Sequence, residues 1–176
     1  MILYFLRHAS AGERTPDLKK DEKRALDPDG VEQCGYVGRA LGALDAQVGA
    51  IVSSPLKRST QTASLVGTEM GFEGKIQMDN ALRPGATFAD FRGLLSRHSR
   101  QEAILVVGHN PNLSKFLGQL ISNPGCQAGV DLKKGAIAKV EIRRNSAELH
   151  WCLTPKILRA LYATAVESAR PKSSRK

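Results

Sequence analysis

The apolar run Ile2-Leu3-Tyr4-Phe5-Leu6 stops at the charged pair Arg7-His8. A run this short reads as a buried strand rather than a helix. The pattern returns twice. Ala50-Ile51-Val52 stops at Ser53-Ser54-Pro55, and Ala103-Ile104-Leu105-Val106-Val107 stops at Gly108-His109-Asn110-Pro111. The third run is apolar without alternation, as expected of a strand covered on both faces.

Between these runs the spacing becomes helical. Asp27-Pro28 opens a helix, with Asp27 as N-cap and Pro28 at the first helical position. Its expected inner face is Val31, Cys34, Gly38 and Leu41, with Val37 and Leu44 alongside. Ser54-Pro55 is expected to start the next helix in the same way, with Ser54 as cap and Leu56, Ala63, Val66 and Met70 as the stripe. Thr87 caps a helix bearing Phe88, Phe91, Leu94 and Leu95. Asn110-Pro111 caps another, with Leu113, Phe116, Leu117, Leu120 and Ile121 at helical spacing. Residues 75–78 suggest a short strand. Residues 136–142 and 147–153 suggest two more, joined at Arg144-Asn145, and Leu149, Trp151 and Leu153 alternate with polar neighbours in the second. A last helix is expected over 157–167. The polar stretch 10–24 reads as a loop, long enough to be functional.

Alternating strands and helices predict an α/β fold: one three-layer α/β/α domain with a mostly parallel sheet. The expected domain is 1–168, with 169–176 a disordered basic tail. No apolar run approaches the ~20 residues that span a bilayer, and the N-terminus lacks the basic region of a signal peptide. These features predict a cytoplasmic protein without a membrane partner. Cys34, Cys126 and Cys152 have neither disulfide-framework nor zinc spacing, so no metal is expected. The net charge of +9 raises nucleic-acid binding. The basic residues are scattered, however, and few aromatics interleave with them. A solvated basic surface with no specific nucleic-acid partner is the better reading.

Three strand ends thus present Arg7, His8, Arg58 and His109. Ligands of α/β sheets sit at such carboxyl edges. Two arginines that stay charged and two histidines suit a transferring phosphoryl group. Arg58 is expected in the first turn of its helix, whose free N–H groups also favour an anion. Each element has an ordinary alternative. Arg58 could be a surface arginine and His109 a satisfied core histidine. Their joint placement at three strand ends makes those alternatives weak.

The residues carry a family resemblance. A strand followed by Arg7-His8, then Ser54-Pro55-Leu56-Lys57-Arg58-Ser59-Thr60-Gln61-Thr62-Ala63, then Gly108-His109 resembles the histidine phosphatase superfamily. That group includes cofactor-dependent phosphoglycerate mutases and acid phosphatases. Short length, Asp21-Glu22-Lys23-Arg24-Ala25-Leu26, Leu82-Arg83-Pro84-Gly85 and the segment from Trp151 to Leu158 resemble its small SixA-type phosphohistidine phosphatases. Ala9, Ala11 and Ala25 depart from the usual glycine, serine and proline.

The resemblance implies a phosphoglycerate-mutase-like fold and a covalent mechanism. His8 attacks phosphorus and water releases it. Arg7, Arg58 and His109 hold the phosphoryl oxygens, and no cofactor is needed. Positive charge from Arg7 and Arg58 is expected to keep His8 neutral. Arg24 and Asn110 are candidate substrate contacts, with a surface salt bridge and a plain helix cap as equal alternatives. Mutases and acid phosphatases protonate an alcohol leaving group with a carboxylic acid. The corresponding region here, Asn80-Ala81-Leu82-Arg83-Pro84, has none. A phosphoramidate leaves without one, since imidazole's conjugate acid has a pKa of about 6.5. Asp21, Glu22 and Asp79 remain candidates for a hidden acid. The expected function is hydrolysis of phosphohistidine on a protein, such as a histidine phosphotransfer domain. The alternatives are a phosphatase of a small phosphate ester and a non-catalytic phosphate- or nucleic-acid-binding module. His98 and His150 receive no role.

Overall fold

Alternation within β1 (Ile2–Arg7) sets the architecture. Leu3 and Phe5 face one side, Tyr4 and Leu6 the other, and all four are buried. A strand buried on both faces needs helices on both. The structure, a computed structural model, describes residues 1–123, 126, 128–144 and 146–169, with side chains described as far as residue 163.

The sheet continues with β2 (Ala50–Ser53), β3 (Gln77–Met78), β4 (Ala103–Gly108), β5 (Ile137–Ile142) and β6 (Ala147–Leu153). Its order is β3-β2-β4-β1-β5-β6. β1 to β4 run parallel, while β5 is antiparallel to both β1 and β6. The helices are α1 (Leu18–Glu22), α2 (Pro28–Ala43), α3 (Lys57–Glu69), α4 (Phe88–Arg97), α5 (Asn112–Ile121) and α6 (Pro155–Ala169).

Each face has its own core. On one, Leu3, Phe5, Ile104 and Val106 meet Phe91 and Leu94 of α4 and Leu113, Phe116 and Leu117 of α5. Phe91 stacks on Phe116 with ring centres 4.9 Å apart. On the other, Tyr4, Leu6, Leu105 and Val107 meet Cys34, Val37 and Leu41 of α2, Ala63 and Val66 of α3, and Leu158 of α6. Full burial of one such large side chain contributes about 1.5–3 kcal/mol. The expected three-layer α/β/α arrangement is therefore the observed one.

Connectivity then places a crevice. β1 and β4 are neighbours. The chain leaves β1 toward α2 on one face and leaves β4 toward α5 on the other. Connections that part to opposite sides open a gap at the carboxyl ends of the two strands.

Several local expectations are corrected. The stretch 10–24 is not all loop, because it contains α1. That helix has no buried residue and is capped by Asp17, whose side chain accepts from the amides of Lys19 and Lys20. With no apolar face, it left no periodic signal. Val31 and Leu44 are 50% and 54% exposed, because the buried stripe of α2 runs through Gly30, Gln33, Cys34, Val37 and Leu41. Ser54 does not cap α3. That helix starts at Lys57, its N-cap residue Leu56 has no capping side-chain bond, and the Ser54 hydroxyl turns to His109 instead. The N-cap residue of α5 is Pro111, and Asn110 Oδ1 accepts from the Ser114 amide of that helix at 3.3 Å. Leu149 stays 38% exposed because β6 is the sheet's edge. The last helix begins at Pro155, earlier than expected. Asn145 and the tail from 170 lie outside the described residues.

Candidate active site

Strand register brings the two histidines together. Arg7 pairs with Gly108 across β1 and β4, and the His8 amide donates to the Gly108 carbonyl at 3.0 Å. The residue following each strand end is a histidine, and their ring centres lie 5.0 Å apart. Both rings are buried. Gly135 secures this end. Its φ of +68° suits glycine, and its amide reaches the carbonyls of both Arg7 and His8. Arg58, in the first turn of α3, forms a third wall and is 4% exposed.

A cavity of about 900 Å³ opens here. All six residues singled out in the sequence line it: Arg7, His8, Arg24, Arg58, His109 and Asn110. Their surroundings differ. Arg7 Nη1 donates to the Leu132 carbonyl at 2.8 Å. Asn110 Nδ2 donates to that same carbonyl, also at 2.8 Å. The Asn110 amide therefore holds the segment before β5 as well as touching the cavity. Arg24 Nε pairs with Asp21 at 2.9 Å, and its Nη1 reaches the Gly12 carbonyl. Arg58 Nη1 sits 3.2 Å from the other Asp21 oxygen.

The state of His8 follows from its partner. Its Nδ1 lies 2.8 Å from the Ala9 carbonyl, which can only accept, so Nδ1 carries the hydrogen. The ring's pKa is pushed down to about 3, first by burial and then by the charges of Arg58, Arg7 and Arg24, against the Ala9 contact. The expected direction holds, but burial rather than the arginines is the larger cause. A neutral ring protonated at Nδ1 leaves a lone pair on Nε2. His109 is pushed down to about 2 by burial, by His8 and by the same arginines. Its Nε2 lies 2.9 Å from Ser54 Oγ and 3.2 Å from Ser59 Oγ.

Arg7 Nε and Arg58 Nε are buried without a hydrogen-bond partner. Leaving such a donor unmade costs about 1–3 kcal/mol, and more for a charged group. Arg24 and Arg58 flank the Asp21 carboxylate, and with Arg7 they line the cavity with positive charge that suits a tetrahedral dianion. Burial raises the Asp21 carboxyl, but Arg58 and Arg24 outweigh it and hold the group below the usual range, which disfavours it as an acid.

The sequence reading missed how Asp21, Ser54 and Ser59 serve the site. Asp21 had a signal in its three-residue spacing to Arg24. The serines had none, since their contact with His109 depends on how α3 meets β4.

A profile of the histidine phosphatase superfamily (branch 1) matches residues 3–86. An uncharacterized protein of Picosynechococcus sp. is 32% identical over 152 residues, covering 85% of this chain and 88% of its own. The chain belongs to the histidine phosphatase superfamily. Its fold is the phosphoglycerate-mutase-like fold of the protein histidine phosphatase SixA, whose complex with tungstate superposes with a TM-score of 0.80 at 20% identity. That match covers 90% of this chain and 99% of SixA. The alpha-ribazole phosphatase of Shigella flexneri shares the fold with a TM-score of 0.67 at 17% identity, over 88% of this chain and 97% of its own. Proteins with this fold thus include one named a protein histidine phosphatase and one named an alpha-ribazole phosphatase.

Proposed function

We propose that this histidine phosphatase hydrolyses phosphohistidine on a protein, with His8 as nucleophile. His8 Nε2 forms a bond to phosphorus as the substrate's P–N bond breaks. The departing imidazole takes its proton from solvent. Water then attacks phosphorus, the Nε2–P bond breaks and inorganic phosphate leaves. Arg7, Arg58 and His109 hold the equatorial oxygens through both steps, and Arg24 fixes Asp21 against Arg58. The expected substrate partner is a histidine phosphotransfer or similar domain.

One observation carries the choice of a P–N substrate: of the four carboxylates that line the cavity, all but the exposed Glu13 are engaged. Asp21 is held by two arginines. Glu22 pairs with Arg83 at 2.6 Å. Asp27 accepts from Ser10 and from the Gly30 amide. Asp79 does not line the cavity and pairs with Arg97. A poor alkoxide leaving group gains ~10²–10⁴-fold from a general acid, and these groups are not placed to give it.

Glu13 favours a second reading. It lines the same opening, is exposed and has no ion pair among the described residues. As a donor to a small alcohol it would make the chain a phosphatase of a small ester. The deciding experiment compares kcat/KM for a phosphohistidine protein and a phosphoserine peptide, in the parent and in Glu13→Gln. The proposal expects phosphohistidine to be preferred by about 10²-fold or more, unchanged in the variant. Equal rates on the two substrates, with the phosphoserine rate lost in Glu13→Gln, would establish the small-ester reading instead.

A further inference from the structure

The geometry points to Thr62 as a positioning residue that keeps His8 presenting Nε2; we infer this role on the reading that His8 is the nucleophile. Thr62 is fully buried and does not line the cavity. Its hydroxyl donates to the Arg58 carbonyl one turn back, at 2.7 Å. That bond uses the only hydrogen on Oγ1 and leaves the oxygen free to accept. The Ala9 amide donates to it at 3.1 Å. Ala9 is the residue whose carbonyl accepts from His8 Nδ1.

Ala9 is pinned on both sides. Thr62 holds the peptide group before it. The peptide group after it is held by Gln33, whose Oε1 accepts from the Ser10 amide at 2.9 Å. The Ala9 carbonyl therefore stands still, and the Nδ1–H of His8 has one place to go. Without that acceptor the neutral ring exchanges between tautomers, and Nε2 carries the hydrogen for part of the time. A nitrogen bearing hydrogen has no lone pair for phosphorus. Thr62 also lies four residues after Arg58 on α3, so one bond sets the nucleophile's backbone against the helix that carries its arginine.

The test compares Thr62→Ser with Thr62→Ala, which differ by the hydroxyl oxygen alone. With p-nitrophenyl phosphate, Thr62→Ala is expected to lose about tenfold or more in kcat, the usual cost of removing an orienting partner. Thr62→Ser is expected to restore most of it. Inhibition by inorganic phosphate should stay within about twofold in both, because Arg7 and Arg58 are untouched. ¹⁵N NMR of the His8 ring should show distinct protonated and unprotonated nitrogens in the parent and in Thr62→Ser, and signals moving together in Thr62→Ala. Unchanged His8 nitrogens in Thr62→Ala, or equal kcat losses in the two variants, would overturn the inference. If Thr62→Ala does not fold, Gln33→Met is read against the same nitrogens and the same outcomes. Failure of the nucleophile reading looks different: His8→Ala would still capture phosphate covalently, whatever Thr62 does.

Discussion

Two places in this molecule gather a histidine, arginine and carboxylates, and they differ in what is left over. On the β5–β6 hairpin, Glu141, Glu148 and His150 bring ligand atoms within 4.8 Å of one another. Arg143 pairs with both glutamates, and His150 with Glu141. That cluster lies at the surface, with Glu148 and His150 exposed and Glu141 half-buried, and its side chains pair with each other. At the carboxyl ends of β1 and β4, the guanidinium Nε atoms of Arg7 and Arg58 are buried and have no partner. The same residue types make a solvent-facing ion network in one place and a buried, positively charged pocket in the other. What sets the second place apart is buried guanidinium donors in excess of their partners, and composition alone does not distinguish the two.

The sharpest way to break this contrast is to remove the proposed nucleophile. His8→Ala should lower turnover of p-nitrophenyl phosphate by on the order of 10⁴-fold or more and abolish acid-labile phosphate on the protein. Acid-labile phosphate on His109 would reverse the assignment. Next comes geometry at fixed charge. Arg58→Lys keeps the cation but loses the planar fork that meets both phosphate and Asp21, so kcat should fall by roughly 10²–10³-fold. Steady-state kinetics showing near-parental turnover would remove Arg58 from the site.

Buried neutral histidines also leave a signature in stability. Both are held below the ordinary histidine value, His8 to about 3 and His109 to about 2. The unfolded chain therefore binds protons first. The stability gained by keeping the rings neutral is full above about pH 6.5 and falls as pH drops toward the folded values, by about 1.4 kcal/mol per pH unit for each ring. Urea titrations between pH 7 and 5 should give a clearly shallower slope in His109→Asn. An unaltered slope would mean that His109 is not buried neutral. The smallest effect is expected at the hairpin. Arg143→Ala should leave turnover at the parental rate, and a large loss would extend the functional surface to β6.

Legibility in the sequence followed the reach of each cause. β1 and β4 were readable because two-sided burial writes continuous apolar runs. His8 and His109 were readable because they directly follow those runs. Arg58 was readable because a helix's first turn has a fixed offset from its start. The α1 helix was not, since Leu18 at its start is exposed and its anchor is Asp21 meeting Arg58, a partner on another helix. Ser54 was assigned to its own helix because local rules favour a cap, whereas a buried imidazole over fifty residues away took the hydroxyl. Leu132 carried no signal at all. Its role lies in a backbone carbonyl that holds Arg7 and Asn110.

The central place of β1 has a consequence for how the chain comes into being. Its two neighbours are residues 103–108 and 137–142, so the first strand made is bracketed by strands made much later. During synthesis Leu3, Phe5 and Leu6 leave the ribosome before either neighbouring strand has been made. Pairing at such separation makes folding slow and leaves apolar surface open meanwhile. The segment bearing His8 is thus translated well before the strands that enclose it. A nascent chain released before β5 should be bound by chaperones rather than show a partial activity.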